Sequence, residues 1–105
     1  MAKEPLKVLT ESMFYVLLSL LRQERCGTEI VRFVDNATAG RVPLGPGTLY
    51  TILAKFQEEE LIRETAVEGR KRTYAITDRG RALFRQALSR PKLCVADGDR
   101  EEDGL

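Results

Sequence analysis

Apolar residues recur at helical spacing along much of the chain, and one block has a sharp start. Leu49, Ile52, Leu53 and Phe56 fall at i, i+3, i+4 and i+7, a single stripe on an α-helix. Gly45-Pro46 opens this helix, because proline at the first helical position lacks only an N–H that has no partner there. The predicted span is Pro46–Glu59, about 20 Å long at about 1.5 Å per residue. Its other face carries Gly47, Thr51, Ala54 and Lys55, with Thr48 and Tyr50 on the flanks. That face is small, hydroxylated and nearly free of bulk until Glu58. A solvated helix usually shows long charged side chains there; a helix that lies close against another surface often does not.

Upstream, Thr10 is a suitable N-cap and Glu11 suits the positive end of a helix dipole. The helix predicted over Glu11–Gln23 is crowded with Met13, Phe14, Tyr15, Val16, Leu17, Leu18, Leu20 and Leu21, which cover more than one face. A helix apolar nearly all round is buried on more than one side. In a domain this small, the second side is expected to meet another copy of the chain. A turn over Gln23–Gly27 leads to a second helix over Thr28–Ala37, with Ile30, Phe33, Val34 and Ala37 facing inward. Arg41-Val42-Pro43-Leu44 reads as a short extended piece, a candidate strand rung that Pro43 restricts to a sheet edge.

Downstream of the central helix, Leu61-Ile62 returns to the core and Arg63–Thr77 reads as a hairpin. Val67–Arg70 supplies its turn, with Gly69 at the position that tolerates positive φ. Tyr74 and Ile76 share one face of the returning strand. Thr77 and Asp78 then start a last helix, predicted over Asp78–Ser89 and ended by Pro91, with Leu83, Phe84, Ala87 and Leu88 as its stripe. Gly80 is costly inside a helix, by about 1 kcal/mol against alanine, and implies that another backbone passes close. Residues 91–105 are expected to form an acidic, flexible tail, in which Leu93–Ala96 is too short to classify.

The order helix, helix, rung, helix, hairpin, helix predicts a mainly α domain over residues 1–90 with a small β-hairpin wing: a winged helix-turn-helix, its last helix serving dimerisation. The 105 residues are 43% apolar and 31% charged, as for a globular domain. The start Met1–Pro5 lacks the apolar core of a secretion signal, and the expected location is cytoplasmic. The net charge of +1 conceals segregation. Residues 61–90 hold 8 basic and 3 acidic side chains, whereas residues 91–105 hold 2 and 5. A local basic patch of this kind, with Arg70-Lys71-Arg72 at the hairpin turn, is what a nucleic-acid surface requires. The alternative reading of the patch is a charged edge that blunts strand pairing.

There is no histidine, and Cys26 and Cys94 make no metal-ligand spacing, so neither a metal nor a cofactor is expected. No glycine-rich phosphate loop and no serine or cysteine with an evident base is present, so an enzyme is not expected.

The sequence resembles the PadR family of bacterial transcriptional regulators over roughly Leu9–Leu88. The resemblance rests on the apolar first helix, Gly27-Thr28-Glu29-Ile30, Gly47-Thr48-Leu49-Tyr50, and Glu58-Glu59-Glu60-Leu61-Ile62. It rests also on Gly69 through Thr77 and on Thr77-Asp78-Arg79-Gly80. It implies a homodimeric repressor whose third helix enters the major groove of a palindromic operator while the wing lies beside it. Carried over by position, Gly47, Thr48, Tyr50, Thr51, Lys55, Arg70, Lys71 and Arg72 would face double-stranded DNA. Met13, Phe14, Leu17, Leu21, Leu83, Phe84 and Leu88 would build the dimer interface. Some members bind planar small molecules there, for which Phe14, Tyr15 and Phe84 are candidates. The family's last helix is usually longer than one ended by Pro91, and this chain has no tryptophan to stack on an effector. A rival outside this family's role is a winged helix used as a protein-interaction module without DNA.

Overall fold

The computed structural model describes residues 9–104, leaving aside the side chains of residues 93 and 94. The lead-in before Leu9 lies outside them, as does the side chain of Cys94. Four helices, α1 (Glu11–Ser19), α2 (Gly27–Thr38), α3 (Pro46–Glu58) and α4 (Asp78–Asp103), pack around a small sheet of β1 (Arg25–Cys26), β2 (Ile62–Glu68) and β3 (Lys71–Ile76). The sheet is antiparallel in the order β1-β3-β2.

The helix starts follow from local chemistry. Thr10 accepts a bond from the Met13 amide at 3.2 Å, and Thr77 accepts one from the Gly80 amide at 3.0 Å. Proline stands in the first turn of α3. At α2 the cap is Cys26, whose amide donates to Glu29 Oε1 at 2.9 Å, the reciprocal half of a capping box. α2 therefore opens at Gly27, and α1 ends at Ser19 instead of Gln23.

The core runs through all the elements. Val16, Leu17 and Leu20 from α1 and its end meet Ile30 and Val34 from α2 and the complete predicted stripe of α3: Leu49, Ile52, Leu53 and Phe56. Tyr74 and Phe84 close it from β3 and α4. Buried Thr38 donates to the Val34 carbonyl at 2.8 Å and accepts from the Val42 amide at 3.3 Å. This pins the loop before α3 to the end of α2.

Two expectations are corrected. The sheet's third rung is Arg25–Cys26, paired with Tyr74 and Thr73, and not Arg41–Leu44. Pro43 has no N–H to offer a ladder, and Val42 and Leu44 serve as core side chains instead. The last helix does not stop at Pro91 but runs through it to Asp103, so the stretch expected to be a flexible tail is helical. Proline within a helix removes one hydrogen bond and crowds the carbonyl four residues back, at a cost of about 3 kcal/mol. That carbonyl belongs to Ala87, and from Leu88 onward no described side chain of α4 is buried, so the crowding falls outside the core. The short last helix expected on sequence grounds is thus replaced by one of 26 residues.

Candidate nucleic-acid interface

The apolar stripe of α3 is consumed by the core, which turns Gly47, Thr48, Tyr50, Thr51 and Ala54 outward. Tyr50 is 64% exposed, unusual for a tyrosine beside a hydrophobic core. The Thr51 hydroxyl donates to the Gly47 carbonyl at 2.9 Å. A Cβ added at Gly47 would meet no atom within 4 Å, so open space and not the protein's own packing borders this glycine.

The wing stands beside this face. β2 and β3 pair from Ile62↔Ile76 to Glu68↔Lys71, leaving Gly69-Arg70 as a two-residue loop. Gly69 has φ +62°, the left-handed conformation the tight turn demands. A bulge between Glu64 and Ala66 shifts the register and increases the local twist. Arg70, Lys71 and Arg72 are all exposed. Arg72 lies 3.5 Å from Glu64 across the hairpin, an exposed pair of little energetic weight.

Tyr50 and the three wing cations line one open cleft of about 800 Å³, together with Cys26, Gly27, Thr28 and Glu29 from the start of α2, Gly69, and Tyr74. Residues far apart in sequence are thereby brought to one side of the molecule. Gly47, Thr48 and Thr51 are exposed on the adjoining face of α3. Lys55 is not in this cleft; its ammonium pairs with Glu59 at 3.3 Å at the far end of the helix, where Glu59 also approaches Arg79 at 4.0 Å.

The α2 start was not among the residues expected at this face. Its signal was present in the sequence as Glu29 three residues after Cys26, the capping-box spacing, but cysteine is not a usual cap. The bonds from Cys26, backbone first and side chain second, hold the Glu29 carboxyl below its ordinary value, helped by Lys71 and Arg25. Burial pushes the Tyr74 phenol up, and the charge of Glu64 adds to that. Tyr74 is therefore a neutral wall of the cleft, whereas Glu29 is an anion whose oxygen is already engaged.

The expected dimer residues divide. Leu17 is 0% and Phe84 6% exposed in the single chain, so both belong to its own core and have no face for a partner. Met13, Phe14, Leu21 and Leu83 are half-buried, and Leu88 is exposed. Phe14 stacks on Phe84 with centroids 5.0 Å apart and meets the edge of Tyr15 at 5.4 Å, so the three candidate effector aromatics form one connected group.

A helix-turn-helix with a three-stranded sheet ending in an exposed cationic hairpin defines a winged-helix domain. The model of the transcriptional regulator PadR-like family matches residues 16–86, and the chain belongs to that family of regulators, which are not enzymes. The transcriptional regulator YqjI of Escherichia coli K12 is 35% identical over 66 residues, 62% of this chain and 32% of that protein. The chain thus spans about a third of the length of this relative. A transcriptional regulator from Clostridium thermocellum superposes with a TM-score of 0.74 at 21% identity, over 89% of this chain and 97% of the other. Bacillus subtilis PadR in complex with operator DNA gives 0.64 at 21% identity, over 72% of this chain and 46% of that one. Among the described residues no helix is long and apolar enough to cross a membrane, and no cluster of side chains could hold a metal ion.

Proposed function

We propose that the chain is a homodimeric, sequence-specific DNA-binding repressor of the cytoplasm. The observation that carries this reading is the convergence of Tyr50, Arg70, Lys71 and Arg72 on one cleft beside the bare face of α3. α3 is about 20 Å long and slim enough for a major groove of about 12 Å. Cations at the wing tip then meet the flanking backbone or minor groove, where they bring affinity through counterion release. The same architecture in a PadR protein bound to operator DNA supports the assignment.

Dimerisation has support from α1 and α4. Met13, Phe14, Leu21 and Leu83 keep part of their apolar surface outside the core. Along α4, five cations over 79–92 give way to five anions over 97–103. Each set opposes the helix dipole, which favours anions at the N-terminus and cations at the C-terminus. Two copies laid antiparallel place each acidic end on the partner's basic half, the self-complementarity a two-fold interface needs. Release by a small effector fits the same place: a planar molecule displacing Phe14 from Phe84 would alter the spacing of the two α3 helices.

Selection of bound duplexes from a random pool, followed by footprinting, tests the reading. Two inverted half-sites about 34 Å apart, or a multiple of that, are expected. A pool that shows no enrichment at low salt overturns it.

A further inference from the structure

The outward face of α3 also restricts which bases it can read, given the DNA-binding reading above. In the major groove guanine offers two acceptors, which arginine or lysine reads; adenine offers an acceptor and a donor, matched by asparagine or glutamine; cytosine offers a donor, matched by a carboxylate. Thymine is distinguished by its 5-methyl group, which takes an apolar contact.

From Pro46 to Ala54 the exposed residues of α3 are Pro46, Gly47, Thr48, Tyr50, Thr51 and Ala54. None carries a guanidinium, ammonium, amide or carboxylate. The first long polar side chain is Lys55, held by Glu59 at 3.3 Å; Gln57 and Glu58 follow only in the last turn. The proton of the Thr51 hydroxyl is committed to the Gly47 carbonyl, so that side chain offers the groove its methyl group and an oxygen that can only accept. Thr48 and Thr51 stand at i and i+3, on one side of the helix. Gly47 and Ala54 beside them are small enough for close approach.

We infer that α3 reads thymine: the methyl groups of Thr48 and Thr51 pack on thymine 5-methyl groups in each half-site, and the protein makes no bidentate guanine contact from this helix.

The test uses the full chain and the best duplex from the random pool. Replacing half-site thymines by deoxyuridine removes only the 5-methyl groups. Each contacted methyl should cost about fourfold in affinity, the worth of one buried methyl. Replacing half-site guanines by 7-deazaguanine, which lacks the N7 acceptor, should change affinity by less than about twofold. Thr48→Ser and Thr51→Ser keep the hydroxyl and remove the methyl. Each should weaken binding to the thymine duplex about fourfold, with a smaller loss on the deoxyuridine duplex. Equal affinity for both duplexes, or a larger loss with 7-deazaguanine, overturns the thymine reading and leaves DNA binding standing. Failure to bind any duplex at low salt overturns both.

Discussion

The two longest helices use their surfaces in opposite ways. α3 buries Leu49, Ile52, Leu53 and Phe56 along one side and presents small or hydroxylated groups on the other over its first turns. α4 is twice as long, 26 residues against 13, yet from Leu88 onward none of its described side chains is buried. The first helix is held by its own fold and lacks only something to lie against. The second extends beyond the fold with long charged side chains. A bare face on a rigidly held helix is suited to a shape already made, such as a groove. A charged, unburied arm is where the proposed self-association falls.

Substitutions can break this contrast, and the largest effects fall where a helix meets the core. Leu17→Glu places an unpaired charge at a fully buried position. It should destabilise the chain by about 3–5 kcal/mol, seen as loss of the cooperative transition in urea. Leu88→Glu, on the exposed stripe of α4, should leave the monomer's urea midpoint nearly unchanged and weaken self-association in sedimentation equilibrium. A dimer unaffected by Leu88→Glu would remove α4 from the interface.

Two glycines form the next pair. A Cβ at Gly80 would lie 2.1 Å from the Leu61 carbonyl oxygen, a backbone atom that cannot step aside cheaply. Gly80→Ala should therefore cost about 3 kcal/mol, the upper end for overpacking, although alanine is the better helix former. Gly47→Ala meets no atom and should stabilise the fold by about 0.5–1 kcal/mol. The same Gly47→Ala variant should bind its selected duplex less tightly. Unchanged binding would show that DNA does not approach this face.

On the wing, replacing Arg70, Lys71 and Arg72 together by alanine should shift stability by no more than about 0.5 kcal/mol. It should lower affinity for every duplex by a similar factor and reduce the salt slope by about 2–3, one for each phosphate left without its cation. A loss confined to one sequence would mean that these cations read bases.

The smallest effect concerns Glu29. Its carboxyl sits below the ordinary 4.5 in the folded chain because the Cys26 amide donates to it. By linkage, this stabilisation is present above the unfolded-state value and is lost as pH falls through the lower folded one. Glu29→Gln should flatten the stability–pH curve in that acid range and lower stability near neutrality, where the parent keeps its charged cap. A parent curve and a variant curve that run parallel below the ordinary value of 4.5 would show that the cap contributes nothing.

The legible parts of the sequence were those set by local chemistry. Pro46 and the 3.6-residue stripe defined α3 to within one residue. Gly69 defined the wing turn, and Gly80 indicated the close backbone approach now seen at Leu61. What was not legible depends on distant partners. Arg25–Cys26 is a strand only because β3 lies alongside it. Leu17 looks like an interface residue on a helix apolar all round, and only the packing of α2 and α4 against α1 shows which leucines the chain keeps for itself. At Pro91 a strong local rule met a stretch of helix in which no described side chain is buried, and there the rule did not decide.

One joint ties the two helices together. The Thr77 hydroxyl donates to the Glu60 carbonyl at 2.7 Å, its amide donates to the Leu61 carbonyl at 3.0 Å, and at Gly80 that same carbonyl leaves no room for a Cβ. Glu60 and Leu61 closely follow the end of α3, while Thr77 caps α4. The foot of the arm is thereby bolted to the end of the rod, at a point well ahead of Pro91.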